Sequence, residues 1–171
     1  RELCDERDIL LVNKKKIKDI NKLKKITILS SSPRRVYNLN DFIHDYFPYQ
    51  CNEIVFNNIR GNIPTRIKKL LNGDGDALIV AKAAIDRLLN NPFEDFKDLS
   101  NEIKSYINQC LWMVVPLSVN PSAPGQGALA IETKSNDKIT NEIIKNISDP
   151  LSITCVTKER EVLKKYGGGC H

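Results

Sequence analysis

Ile26-Thr27-Ile28-Leu29-Ser30-Ser31-Ser32-Pro33-Arg34-Arg35 passes from an apolar strand to a helix start within ten residues. The β-branched run predicts a buried strand. The serines supply capping oxygens, and Pro33 suits a first helical turn, where a missing N–H costs nothing. Val36, Leu39, Phe42, Ile43 and Phe47 then recur at helical spacing. This strand-to-helix turn, with two guanidinium groups at its corner, is repeated along the chain. Asn52 to Phe56 reads as a strand and leads through Arg60-Gly61-Asn62 into a helix carrying Ile63, Ile67, Leu70 and Leu71. Gly73-Asp74-Gly75 breaks that helix. Ala77 to Ala81 is a further strand, turning into a helix through Leu88. Strands alternating with helices predict an α/β fold built on a parallel sheet. Ligands of such sheets gather at the carboxyl ends of the strands, where helix N-termini favour anions.

Working outward, Asp8 to Val12 reads as a short strand, followed by a lysine-rich loop and a helical stretch to Leu23. Asn90 to Gln109 is polar and loosely helical. Leu111 to Leu117 is an apolar strand. Pro121 to Gly127 is a Pro/Gly hinge leading into a strand, Ala128 to Glu132. Two helices are expected at Lys138 to Ile147 and Leu151 to Tyr166, before the chain closes on Gly167-Gly168-Gly169-Cys170-His171.

Composition bounds the function. The 171 residues are 41% hydrophobic and 27% charged, as in a soluble globular domain. No apolar run approaches the ~20 residues needed to span a bilayer, and the first residues resemble neither a signal nor a transit peptide. The net charge of +5 suits an anionic small molecule or a nucleic acid. Against nucleic acid stand the 6% aromatic content and the absence of any known binding motif. Five cysteines, Cys4, Cys51, Cys110, Cys155 and Cys170, are odd in number and without close pairs. They indicate neither a disulfide framework nor a metal site, and a reducing compartment is expected.

Charge type is informative. Lysine lies in solvated runs such as Lys14-Lys15-Lys16, whereas five of the eight arginines fall between Arg34 and Arg87. Arginine's planar fork matches carboxylates and phosphates two bonds at a time. Ser30 to Arg35 and Arg60 to Arg66 therefore read as an anion-binding rim. Each reads equally well as a capped helix with exposed basic residues. Pro124 to Ala128 reads as a hinge loop. Cys170 fits either a free core thiol or, after three glycines, a sulfur presented on a mobile loop. His44, among apolar residues on a helix, reads as structural.

Taken in order, these segments resemble the porphobilinogen deaminase (hydroxymethylbilane synthase) family. That family carries Gly-Thr-Ser-Ser-Leu-Arg-Arg; Arg-Gly-Asn-x-x-Thr-Arg-Leu-x-Lys-Leu; Asp-Ala-Ile-Ile-Leu-Ala-x-Ala-Gly-Leu-x-Arg; Pro-Ala-x-Gly-Gln-Gly-Ala-Leu-x-Ile-Glu; and Glu-Arg-x-Phe-Leu-x-x-Leu-Glu-Gly-Gly-Cys. The counterparts here are Ser30 to Arg35, Arg60 to Leu70, Asp76 to Arg87, Pro121 to Glu132 and Glu159 to Cys170, with Cys4 to Asp8 resembling the entry to the family's second domain. Leu29 and Ala84 stand where the family has glycine, Pro33 where it has leucine, and Tyr166-Gly167 where it has Leu-Glu.

The resemblance implies a periplasmic-binding-protein-like domain with a parallel or mixed sheet. Residues 1–9 would end a first domain, 10–120 form the second with an insertion at 90–109, 121–134 form a hinge and a return strand of the first, and 135–171 begin a small α/β third domain. It implies a transferase of haem biosynthesis that condenses four porphobilinogens into hydroxymethylbilane, releasing ammonia, on a dipyrromethane cofactor held by a thioether. By position, Cys170 resembles the anchor. Ser31, Ser32, Arg34, Arg35, Arg66 and Ala81 resemble cofactor-binding residues. Arg60, Gly61, Arg87, Val80, Gln126 and Gly127 resemble substrate-side residues. The family's catalytic aspartate belongs to a Lys-Asp motif with no counterpart in these residues, so the 171 residues alone are expected to be inactive. The resemblance further implies a monomer of the cytoplasm or plastid, without metal, nucleic-acid or membrane partners, with uroporphyrinogen III synthase next in the pathway. A competing expectation is a non-catalytic anion-binding α/β module on the same scaffold.

Overall fold

A computed structural model describes residues 5–16, 24–46 and 52–165. The chain divides into two compact units, Arg1–Pro121 and Ser122–His171. The first contains strands β1 (Asp8–Asn13), β2 (Lys25–Leu29), β3 (Glu53–Asn57), β4 (Ala77–Ala81) and β5 (Cys110–Val114). Its helices are α1 (Pro33–Tyr46), α2 (Ile63–Asn72), α3 (Lys82–Leu89) and α4 (Lys97–Asn108), the last preceded by a 3-10 turn at Glu94–Phe96. The second holds α5 (Lys138–Ile147) and α6 (Pro150–Lys165).

The five strands form one mixed sheet in the order β3-β2-β4-β1-β5. β2 runs parallel to β3 and β4, while β1 is antiparallel to both β4 and β5. Four strands therefore point one way and β1 alone runs against them. The strand expected from Asp8 to Val12 is β1, in which Asp8 faces Ala81 and Ile9 faces Val80 and Val114.

Continuous apolar strands are the signature of a sheet buried on both faces, and β1 shows it. Ile9 and Leu11 pack on one side with Leu78, Val80, Ile67 and Leu70 of α2, Ile85 of α3 and Ile103 of α4. Leu10 and Val12 pack on the other with Ile26, Ile28, Ile79, and Leu39 and Ile43 of α1. Leu29 is accommodated within this core. It is buried, and a Cβ placed on Gly75 would lie 2.7 Å from its side chain, so the missing side chain at 75 makes room for the large one at 29.

The 90–109 segment, polar and loosely helical by sequence, packs into the core through α4. Ile103 is fully buried, Leu99, Tyr106 and Ile107 pack around it, and the Ser100 hydroxyl donates to the Leu89 carbonyl at 2.9 Å. The expected strand from Leu111 ends at Val114, short of Pro116, which has no N–H for a ladder. Residues 128–132, expected as a return strand, form none. A strand needs a neighbour for its N–H and C=O groups, and Leu129 and Ile131 here are exposed. His44 is exposed too, 3.2 Å from Asp45, and not among core residues as its sequence neighbours suggested. Phe47 and the helical stretch ending at Leu23 lie outside the described residues.

In the second unit, Asp137 caps α5, accepting from the Thr140 N–H at 3.0 Å and its hydroxyl at 2.7 Å. Those bonds lower the Asp137 carboxyl pKa. Asp149 caps α6 through the Ser152 N–H at 2.9 Å, with Pro150 as the first helical residue.

If the 90–109 segment completes the core, Ile103→Ala should lower unfolding stability by about 2–5 kcal/mol in urea titration. Exposed Phe93→Ala should stay within about 0.5 kcal/mol. Equal small effects would make the segment an appendage.

Candidate functional site

Because β2, β3 and β4 are parallel, the loops after Leu29, Asn57 and Ala81 emerge at one edge of the sheet. β5 ends at the same edge, and β1, running the other way, begins there with Asp8. Five strand ends thus converge on the carboxyl edge, where α/β folds bind ligands.

Asp8 is the centre of this edge. Only 2% of it is exposed, yet its carboxylate is fully engaged. Arg35 donates from Nε to Oδ2 at 2.8 Å and from Nη2 to Oδ1 at 2.7 Å, a two-pronged pair. Arg34 Nη2 donates to Oδ2 at 3.1 Å and Asn120 Nδ2 to Oδ2 at 2.6 Å. Arg34 Nη1 donates in turn to Asn120 Oδ1 at 2.7 Å and to the Pro121 carbonyl. Burial alone would raise the Asp8 pKa, but the Arg35 hydrogen bonds and charge, with Asn120 and Arg34, outweigh it and leave the carboxyl below its ordinary value. Asp8 is therefore an ionised counter-charge, not a proton donor.

Around it the expected residues separate. Ser31 exchanges two bonds with Ile59, donating to its carbonyl at 2.6 Å and accepting from its N–H at 2.7 Å. The serine loop is thereby tied to the loop carrying Arg60 and Gly61. The Ser32 hydroxyl oxygen accepts from the Arg35 N–H at 3.5 Å, at the start of α1. Gly61 has φ 120°, and a Cβ there would fall 2.8 Å from the Thr65 methyl, so only glycine fits. Arg66 Nε folds back onto the Gly61 carbonyl at 2.7 Å. Arg60 is exposed at the edge.

β2 accompanies β4 only as far as Leu78, so the backbone of Ile79 to Ala81 has a sheet neighbour on one side alone. The Val80 side chain is buried in the core, and only its main chain and that of Ala81 face the edge. Arg87 lies in the last turn of α3, about 8 Å along the helix axis from Lys82 at its start. Gln126 and Gly127 belong to the second unit, in a turn where Gln126 N–H donates to the Ala123 carbonyl at 2.9 Å and Ala123 N–H to Gln126 Oε1 at 3.0 Å. Cys170 and His171 lie outside the described residues.

Two functional candidates escaped the sequence reading. Asp8 carried a signal, an acid opening an otherwise apolar strand that would need a buried cation. Asn120, beside Pro121, reads as an ordinary turn. At the same edge Lys82 is held by Asp86 at 2.6 Å and Asp5 at 3.7 Å. Asp5, hydrogen-bonded to Arg7, is lowered to about 2. Around the buried Asp8 carboxylate the edge thus carries the guanidiniums of Arg34 and Arg35 and the exposed Arg60.

The depressed Asp8 pKa has a consequence for stability. A carboxylate lowered on folding stabilises fully above its unfolded value, near 3.9, and less as pH falls through the folded value. Asp8→Asn should cost about 3 kcal/mol at pH 7, the order of breaking a buried pair. Urea titrations should show the gap from wild type narrowing below about pH 4. A gap unchanged down to pH 3 would mean that Asp8 is not an ionised partner.

The matches to known proteins fall on this same stretch. Residues 2–142 match the family model described as "Porphobilinogen deaminase, dipyromethane cofactor binding domain". A porphobilinogen deaminase from Prochlorococcus marinus subsp. pastoris is 35% identical over 168 residues, covering 97% of this chain and 45% of the relative. One from Fusobacterium nucleatum is 36% identical over 142 residues, 83% of this chain and 39% of its own length. One from Brevibacillus brevis is 32% identical over 166 residues, 97% and 45%. The chain spans just under half the length of these relatives. With most of its residues inside the family model and its arginine-bearing loops gathered at one sheet edge, the chain belongs to the porphobilinogen deaminase family.

Proposed function

We propose that this chain is the cofactor-holding part of a hydroxymethylbilane synthase, which condenses four porphobilinogens into a linear tetrapyrrole with release of ammonia. The observation that carries the reading is the gathering of Arg34, Arg35, Arg60 and Arg66 on or beside one sheet edge, with Arg34 and Arg35 fixed there by the buried Asp8 carboxylate. Four guanidiniums against one buried acid leave an excess of positive charge suited to a polycarboxylate. A dipyrromethane brings an acetate and a propionate on each ring.

The residues fit such a group by donor count. A guanidinium has five N–H bonds. Arg35 spends two on Asp8, leaving three. Arg34 spends three on Asp8, Asn120 and Pro121, leaving two. Arg66 spends one on Gly61. These remaining donors, with Ser32 and the main chain at Ala81, would hold the cofactor carboxylates. Ser31, its hydroxyl already donated to Ile59, would fix the loop that presents them. Arg60, Gly61, Arg87 and the Val80 main chain would line the substrate side of the first unit, and Gln126 and Gly127 carry the same assignment within the second. When bound, the cofactor supplies the nucleophilic pyrrole carbon to which substrate units are added. This chain's residues bind and orient carboxylates; proton transfer falls to an aspartate outside these 171 residues.

Cys170 is the anchor in this reading. The alternatives support it indirectly: Cys110 is buried, with its thiol pushed up to about 11 by burial, and so is a poor nucleophile at neutral pH. Mass spectrometry of the full-length protein incubated with porphobilinogen should place the adduct on the peptide containing Cys170, and Cys170→Ser should abolish it. An adduct on Cys155, which is exposed, would overturn the assignment.

Full-length protein should consume porphobilinogen and release ammonia, and the 171-residue chain alone should not. A folded, cofactor-loaded full-length preparation without substrate loss would favour a non-catalytic anion-binding module. Within that assay, Arg35→Lys keeps the charge but loses a directed bond, a penalty of roughly 1.5–3 kcal/mol or about tenfold to a hundredfold in affinity. Lys15→Ala, in the solvated run, should change little.

A further inference from the structure

The geometry points to Asp8 and Asn120 as positioning residues that set the planes of Arg34 and Arg35 and so decide which of their N–H edges face an incoming carboxylate. The inference rests on the reading that these arginines hold the cofactor, and goes beyond it by assigning function to two residues that would not touch the cofactor.

A guanidinium on a flexible stem can turn about its last torsions, and its directional value is lost unless something fixes the plane. Here each plane is fixed by more than one bond. Arg35 is held by two parallel bonds to the two oxygens of one carboxylate. Arg34 is held at Nη2 by Asp8 and at Nη1 by Asn120 and the Pro121 carbonyl. The two holders are joined to each other, Asn120 Nδ2 to Asp8 Oδ2 at 2.6 Å, and Asn38 Nδ2 reaches Asn120 Oδ1 at 3.4 Å.

Both holders are 98% buried, whereas the Arg34 and Arg35 side chains keep 22% and 14% of their surface open. Those are the exposures expected of a buried frame presenting partly exposed ligands. Donors spent inward are, by the same bonds, excluded from facing outward, so the frame selects the outward set. A supporting shell of this kind makes binding geometry precise.

An opposite possibility is that Asp8 is a stand-in for the cofactor carboxylate and competes with it. The two make opposite predictions. Full-length protein with Asp8→Asn, incubated with porphobilinogen, is followed by intact mass for the rate of cofactor loading. Positioning predicts loading slower by about tenfold, the order seen when a partner that orients a binding group is removed. Asp8→Glu, which restores the charge on a longer stem, should recover part of the rate. Asn120→Ala leaves the Asp8 charge in place and should slow loading in the same direction by less. It carries the test if Asp8→Asn does not fold.

A merely structural role would lower the urea midpoint of the unloaded protein without slowing loading under conditions where each variant is folded. That result, or faster loading in Asp8→Asn, overturns the inference. Arg35→Lys is the control. If it loads like wild type, the cofactor reading itself fails. If it is slow while both frame variants are normal, only the positioning inference fails.

Discussion

One buried charge cluster organises the first unit: a carboxylate at the start of β1 gripped by two adjacent guanidiniums from the helix that follows β2. Ionic groups out of water are costly unless each is paired and hydrogen-bonded, and here every oxygen of Asp8 has partners. That requirement ties together β1, α1 and the segment after β5. It accounts for a reversed strand between β4 and β5 in an otherwise parallel sheet. Only a strand running against the others can begin at the edge where they end, and so bring an acid to the arginines.

Much of this architecture is legible in the residues. The mainly apolar runs at 26–29 and 77–81 mark strands, because burial on both sheet faces leaves little room for polar positions, and the spacing from Val36 to Ile43 marks a helix. The serine-proline start of α1 and the glycine at 61 also declare themselves, since each satisfies a local backbone demand. Readings failed where the outcome depends on a neighbour. His44 sits among apolar letters, but its turn of α1 points to water. The alternation at 128–132 is that of a strand, yet pairing is a property of two segments. The 90–109 stretch, polar and loosely helical by its letters, does hold a helix, and its place is set by Leu99, Ile103 and Ile107, the apolar stripe that packs it into the core.

The candidate site was legible in its cations and illegible in its anion. Guanidiniums cluster in sequence at Arg34-Arg35 and Arg60 to Arg66, so composition alone draws attention to them. Asp8 lies 27 residues from Arg35 and Asn120 lies 86 from Arg34, and no local pattern links them. The candidate ligands are local features of helix starts and loops, whereas the residues that hold them in place come from tertiary structure. The reading of Ser31 shows the same division. Its hydroxyl suggests a ligand, but the structure commits it to Ile59, where it joins two loops instead.

The bond between Asn120 and Asp8 spans 112 positions of the chain, from the first strand of the unit to the segment that closes it. Contacts so distant in sequence bear the largest loop-closure entropy and form late. On a ribosome, which delivers the chain from its N-terminus, β1 is made long before Asn120 emerges. The arginine pair can therefore meet Asp8 early, but its frame cannot close until nearly the whole unit has been synthesised. Closure of the frame is thus timed by translation: a nascent chain cannot fix both guanidinium planes before the sheet that carries them is complete.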